Sequence, residues 1–311
     1  MPRRLHSVRA PRARLLVALF IVGALGAGAH FVPSSDSSHA SAAKRARLTV
    51  PAAKAGRTWA SGTNATLGPG VQTYTGRVQC TANFVFIDRA KDVYLGQAAH
   101  CAELGDSTTN GCHGRSRRLG TRVTFNSGGS SRRGGEAVGT GTLAYSSWRT
   151  MRRRHEANRA TCAYNDFALV KVDPEHLTDV NPSVPFWGGP DGLNTTGTDA
   201  GERVHGYGNS SLRGGDRQLS PQTGVAGGDS SASHGWSHGY QSPTPAMPGD
   251  SGSAFLDSHG RAVGTLSTLV LSIPIVNAIG DIHKELSYAR LHSGISGLRL
   301  VLGTSRFGAS S

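Results

Sequence analysis

Short β-branched runs separated by clusters of glycine, serine, asparagine and aspartate recur through most of this chain, and they leave little room for long helices. Each cluster favours a turn, because glycine reaches backbone angles closed to other residues and short polar side chains bond their own main chain. With 42 glycines in 311 residues, the pattern predicts an all-β protein. Strands are expected over Arg77 to Asp88, Val93 to Gly96, Arg122 to Phe125, Glu136 to Tyr145, Phe167 to Val172, Arg203 to Tyr207, Ser253 to Leu256 and Ala262 to Ser272. The one convincing amphipathic helix runs roughly from Ile279 to Leu291.

Residues 1–42 differ in character. Arg3, Arg4, Arg9, Arg12 and Arg14 precede an apolar run from Leu15 to about Val32 and then small residues, the layout of a secretory signal peptide. The run also has the length of an uncleaved anchor, which is the only membrane association the sequence offers. Residues 43–70, rich in small residues and carrying Lys44, Arg45 and Arg47, read as a linker or short propeptide. Loss of residues 1–42 removes five arginines and Asp36, so four of the thirteen net positive charges go and nine remain. Much of the rest clusters at Arg115, Arg117, Arg118, Arg122, Arg132 and Arg133, with Arg149 and Arg152 to His155 further on. No aromatic interleaving or nucleic-acid motif accompanies it, which argues for a solvated basic face and against a specific nucleic-acid site.

Export would place Cys80, Cys101, Cys112 and Cys162 in an oxidising compartment, where two disulfides are expected in any of three pairings. Their spacing contains no paired C-x-x-C zinc ligands. His234 and His238 sit in a Gly/Ser segment without an acidic or cysteine neighbour in sequence, and read as a surface loop. No metal and no organic cofactor is expected.

Three segments, in this order along the chain, carry the chemistry: Gln97-Ala98-Ala99-His100-Cys101, Asn165-Asp166-Phe167-Ala168-Leu169-Val170 and Pro248-Gly249-Asp250-Ser251-Gly252-Ser253. A serine hydroxyl is a weak nucleophile at neutral pH; acyl transfer needs an imidazole to take its proton and a carboxylate to hold that imidazole in one tautomer. Alone, each segment has a plain reading: Pro-Gly-Asp-Ser-Gly is good turn chemistry, and an aspartate before an apolar strand is an ordinary strand-end residue. Together, in the order His, Asp, Ser and with a cysteine directly after the histidine, they resemble the secreted trypsin-like (chymotrypsin-fold) serine proteases of the divergent actinobacterial type. The likeness extends from about Val71 to about His292.

The resemblance implies two packed six-stranded antiparallel β-barrels with a C-terminal α-helix. Residues 71–178 would form the first barrel with His100 and Asp166, and residues 179–311 the second with Ser251. It implies His100 as general base, Asp166 as orienting acid, Ser251 as nucleophile, and the amides of Gly249 and Ser251 as oxyanion donors. It pairs Cys80 with Cys101 and so leaves Cys112 with Cys162. Pro245 stands six residues before the nucleophile, where enzymes that cleave after Lys or Arg carry an aspartate, and Ser267 falls on the strand expected to pair with substrate. An apolar or small specificity pocket follows, unless Asp229, Asp257 or Asp281 reaches it. Asp250 needs a partner that the sequence does not choose. The function expected is that of a monomeric, extracellular endopeptidase acting on protein or peptide; a silent cell-envelope binding protein and a serine esterase are the alternatives.

Overall fold

A computed structural model describes residues 57–105, 110–130, 132–229, 231–244, 246–270 and 276–308. The proposed signal segment and residues 43–56 lie outside the described residues. Among the described residues no helix is long and apolar enough to cross a membrane.

The first half of the chain supplies β1 (Gln72–Thr75), β2 (Val78–Thr81), β3 (Val85–Ile87), β4 (Val93–Gln97), β5 (Arg122–Ser127), β6 (Glu136–Ser146) and β7 (Ala168–Val172). These form an antiparallel sheet ordered β3-β4-β7-β6-β5-β1-β2. Strands β2 and β3 are two halves of one bent strand: Ala82 still exchanges hydrogen bonds with Gly70 and Val71, while Asn83 already donates to Gly96. The bend joins the ends of the sheet, and six strand positions close into a barrel without exposed edges.

Alternation explains why these strands are buried on both faces. Val85, Ile87, Val93, Leu95, Val170 and Val172 fill the first barrel, while the intervening Phe84, Phe86, Tyr94 and Leu169 turn outward into a second apolar cluster. A period of two sends successive side chains to opposite faces, so each strand serves two cores. At about 1.5–3 kcal/mol for each large apolar side chain removed from water, the double use explains how a chain poor in aromatics holds two barrels.

The second half supplies β8 (Gly192–Leu193), β9 (Ala200–Tyr207), β10 (Pro221–Asp229), β11 (Ser237–Gln241), β12 (Ala254–Leu256), β13 (Arg261–Val270) and β14 (Val276–Asp281). The order β12-β9-β10-β11-β14-β13 closes through pairing of β12 with β13, again a six-stranded barrel. Its interior holds Val204, Tyr240, Phe255, Val263, Leu266 and Ile279. The shared cluster joins Phe84, Phe86 and Tyr145 to Trp187, Tyr207, Leu256 and Ile282, which fixes the two barrels against each other. The all-β double-barrel class read from the sequence is therefore the architecture observed.

Several elements differ from expectation. Helix α3 (Ile282–His292) starts later than Ile279, because Asp281 ends β14 and caps the helix by accepting the Lys284 N–H at 2.8 Å. Two short helices, α1 (Ser147–Arg154) and α2 (Arg159–Tyr164), interrupt the region before β7, capped by Ser146 and Asn158. After α3 the chain returns to the first sheet, where β15 (Arg299–Leu300) pairs with β3; residues 179–311 are thus not confined to the second barrel. Residues 57–70, read as linker or propeptide, are docked: Leu67 is buried in the first core, Trp59 packs on it, and Ala60 donates to the Val180 carbonyl. His238 is no surface loop residue; it lies buried on β11, with Nε2 2.9 Å from Asp281 Oδ2.

Candidate active site

Strand β4 delivers His100 on a short 3-10 turn, Ala99–Ala102, and small Ala98 and Ala99 let that turn sink into the protein. Asp166 enters from the residues before β7 and meets it twice. Its Oδ1 accepts the His100 main-chain N–H at 2.9 Å, and its Oδ2 lies 2.6 Å from His100 Nδ1. With Nδ1–H donating to the carboxylate, Nε2 keeps its lone pair for an incoming proton.

Burial alone would push the proton off His100, but the charge of Asp166 and the bond to it outweigh that effect and raise the imidazole above its ordinary value. Burial would likewise raise Asp166; the His100 charge, the bonds from His100 and the bond from Ser267 together hold it below the usual carboxylate range. The pair therefore favours a charged aspartate beside an imidazole that protonates readily. Ser267 Oγ donates to Asp166 Oδ2 at 2.9 Å. Its side chain serves the aspartate, a role that the sequence reading, with its substrate-pairing strand, did not assign.

Ser251 sits in a turn clamped onto β2. Thr81 N donates to the Ser251 carbonyl at 2.9 Å, and Thr81 Oγ1 and Gln79 Nε2 donate to the Gly249 carbonyl at 2.8 and 3.1 Å. Two glycines make the approach feasible. Gly249 has φ +101° and Gly252 φ +88°, and a Cβ on Gly252 would stand 2.6 Å from the Thr81 carbonyl oxygen and 2.9 Å from Ala98 N. Ser251 is thereby set against the turn that carries His100, with its carbonyl oxygen 3.9 Å from Cys101 Sγ. The Ser251 hydroxyl has no hydrogen-bond partner within 3.5 Å among the described residues; such bonds commonly tighten only when substrate arrives.

The amides of this turn divide into two sets. Asp250 N–H donates to the Met247 carbonyl and Gly252 N–H to the Leu266 carbonyl, while the Gly249 and Ser251 N–H groups donate to no acceptor among the described residues. Two unspent donors in one tight turn are what an oxyanion requires.

Asp250, fully buried, finds the partner that the sequence left open. Arg213 Nη2 lies 2.5 Å from its Oδ2, and the Ser210 and Met247 N–H groups add bonds of 2.9 Å each. Gln222 Nε2 completes the set at 3.3 Å. No local pattern around Arg213 announces this contact, which spans 37 residues of sequence.

Disulfides join Cys80 to Cys101 and Cys112 to Cys162. The first ties β2 to the His100 turn, and the second ties the loop at Cys112 to α2, just before Asp166. The cluster of Cys80, Cys101 and His100 is thus no thiolate site, since both sulfurs are spent.

Pro245 lies outside the described residues, as do the residues that follow β13 and the Asp229 side chain. Asp257 is engaged by Arg261 and Asn194, and Asp281 by His238 and the α3 cap. A cavity of about 410 Å³ lined by Leu67, Asn181, Phe186 and Tyr207 includes none of His100, Asp166 or Ser251.

Two packed six-stranded antiparallel β-barrels are the architecture of the chymotrypsin fold. Solved structures similar to the chain include Thermobifida fusca protease A, at 17% identity over 76% of this chain and 100% of that one, with a TM-score of 0.44. Nocardiopsis protease is similar at 15% identity over 76% and 100%, TM-score 0.42, and a Glu endopeptidase at 18% over 76% and 96%, TM-score 0.45. No protein-family model and no curated protein sequence matches the chain.

Proposed function

We propose that the chain is a secreted serine endopeptidase that cleaves peptide bonds through an acyl-enzyme on Ser251. The observation that carries this reading is the 2.6 Å bond between Asp166 and His100, set beside a turn whose Gly249 and Ser251 amides are unspent.

In this reading His100 Nε2 takes the Ser251 Oγ proton as Oγ attacks the substrate carbonyl carbon. The oxygen that becomes negative is bound by the Gly249 and Ser251 N–H groups, worth about 10²–10³ in rate per donor. Asp166 stabilises the imidazolium, which gives its proton to the leaving amine; water then releases the acid by the reverse route. The two disulfides and the N-terminal segment support export. Pro245, with Asp257 and Asp281 engaged elsewhere, supports apolar or small residues before the scissile bond; cleavage after Lys or Arg would point instead to Asp229 in the pocket.

Turnover of a positional-scanning peptide library and of matched esters, by the wild type and by Ser251→Ala, tests this. The reading expects peptide cleavage that the variant loses by several orders of magnitude. Cleavage of esters alone would mark an esterase, and equal activity in Ser251→Ala would remove the serine from the chemistry.

A further inference from the structure

The main chain of Asp166 rests on a second carboxyl group that the mechanism above does not use. Glu285, in the first turn of α3, is completely buried, and its Oε1 accepts the Asp166 N–H at 3.2 Å. Gly280 makes room for it, since a Cβ there would stand 2.5 Å from Oε1. The Thr265 hydroxyl is a further neighbour. Glu285 Oε2 has no hydrogen-bond partner among the described residues. Burial drives the carboxyl toward its neutral form and the charges of Asp166 and Asp281 press the same way; together they outweigh the bonds from the Asp166 N–H and the Thr265 hydroxyl, which favour the ionised form, so the proton is held well above the usual carboxylate range. The ionisable neighbours from packed elements are Asp166 before β7, Asp281 at the end of β14 and the Tyr145 hydroxyl on β6.

The Asp166 N–H is buried and needs an acceptor. An ionised acceptor would set a second negative charge behind the imidazole, favouring its protonated form at the pH where it must accept a proton. A neutral carboxylic acid supplies the acceptor without the charge.

We propose that Glu285 is a positioning residue: a neutral carboxylic acid that fixes the Asp166 main chain, and through it the His100–Asp166 pair, while adding no charge beneath the base. The proposal rests on the reading of His100 as base and Asp166 as its orienting acid.

The test compares Glu285→Gln, which keeps an uncharged acceptor, with Glu285→Met, which removes it, in the full chain. Glu285→Met is expected to lower kcat about tenfold or more with KM little changed, as small displacements of a catalytic pair do. It should also shift the NMR signal of the His100 Nδ1 proton. Glu285→Gln is expected to restore most of the rate and the wild-type pH profile. The infrared band of a protonated carboxyl should be present in the wild type at neutral pH and absent from Glu285→Gln.

An unchanged kcat and Nδ1 signal in Glu285→Met would overturn the proposal. So would a Glu285→Gln rate about tenfold or more below that of the wild type, or the lack of the infrared band; neither measurement needs Glu285→Met to fold. Failure of the hydrolase reading is separable, because it abolishes wild-type turnover while the Nδ1 and infrared comparisons still report on Glu285.

Discussion

Arg213→Met removes the cation from Asp250 while keeping an unbranched apolar stem in place of the arginine's aliphatic part. Both groups are buried, at 4% and 0% side-chain exposure, so the pair is not discounted by solvent as a surface bridge would be. Asp250 would be left with three neutral donors: the Ser210 and Met247 amides and Gln222 Nε2. Taking one partner from a buried pair costs about 3–5 kcal/mol, and the surviving bonds favour the lower part of that range. For a domain of this size the loss corresponds to a fall in Tm of roughly 6–20 °C. The catalytic effect adds to it, because Asp250 lies between the two amide donors and its displacement moves both. A fall in kcat of at least about 10² is expected, larger than any change in KM. Differential scanning calorimetry and steady-state kinetics measure the two effects, and Asp250→Asn in the Arg213→Met background should recover part of the stability by removing the stranded charge. Stability within about 0.5 kcal/mol of wild type, the range of an ordinary surface substitution, together with an unchanged kcat, would refute the reasoning.

Three further outcomes are expected. Because the Asp166 pair raises the imidazole above its ordinary value, kcat/KM should rise with pH through an apparent pKa above that of free histidine, and Asp166→Asn should lower kcat by about 10⁴ through the wrong tautomer. A flat profile between pH 5 and 8 would count against His100 as base. Ser267→Ala removes one donor to a buried carboxylate, a bond worth about 1.5–3 kcal/mol; kinetics should show kcat falling by about tenfold or more, and no fall would make the Ser267 contact incidental. Replacing Cys112 and Cys162 by serine should cost about 4 kcal/mol in denaturant unfolding by loop-closure reasoning for this 50-residue separation, while loss under 1 kcal/mol would show that the loop is ordered without the bond.

The first barrel was legible because its strands are dense in Val, Ile, Leu and Phe and its turns are sharply marked; Asn83 to Ile87 and Val93 to Gly96 read directly as strands. Much of the second was not. Strand β10, with Gly224, Gly227 and Gly228, and β11, with Gly239, carry too little apolar alternation to signal a strand, and their burial comes from closing the barrel. His238 read as exposed because its partner Asp281 is 43 residues away. The same limit applied to the site. His100, Asp166 and Ser251 carry local motifs, whereas Arg213, the Ser267 hydroxyl and Glu285 act through contacts between strands, turns and helix that only the fold creates. Helices α1 and α2 are too short for a clear 3.6-residue period.

The central claim, that Ser251 is a nucleophile activated by His100, is tested most directly by labelling the folded protein with a fluorophosphonate and mapping the modified peptide. The account predicts a single adduct on Ser251, absent from Ser251→Ala and formed far more slowly in His100→Ala. An unlabelled wild type, or an adduct on another residue with Ser251 untouched, would contradict it.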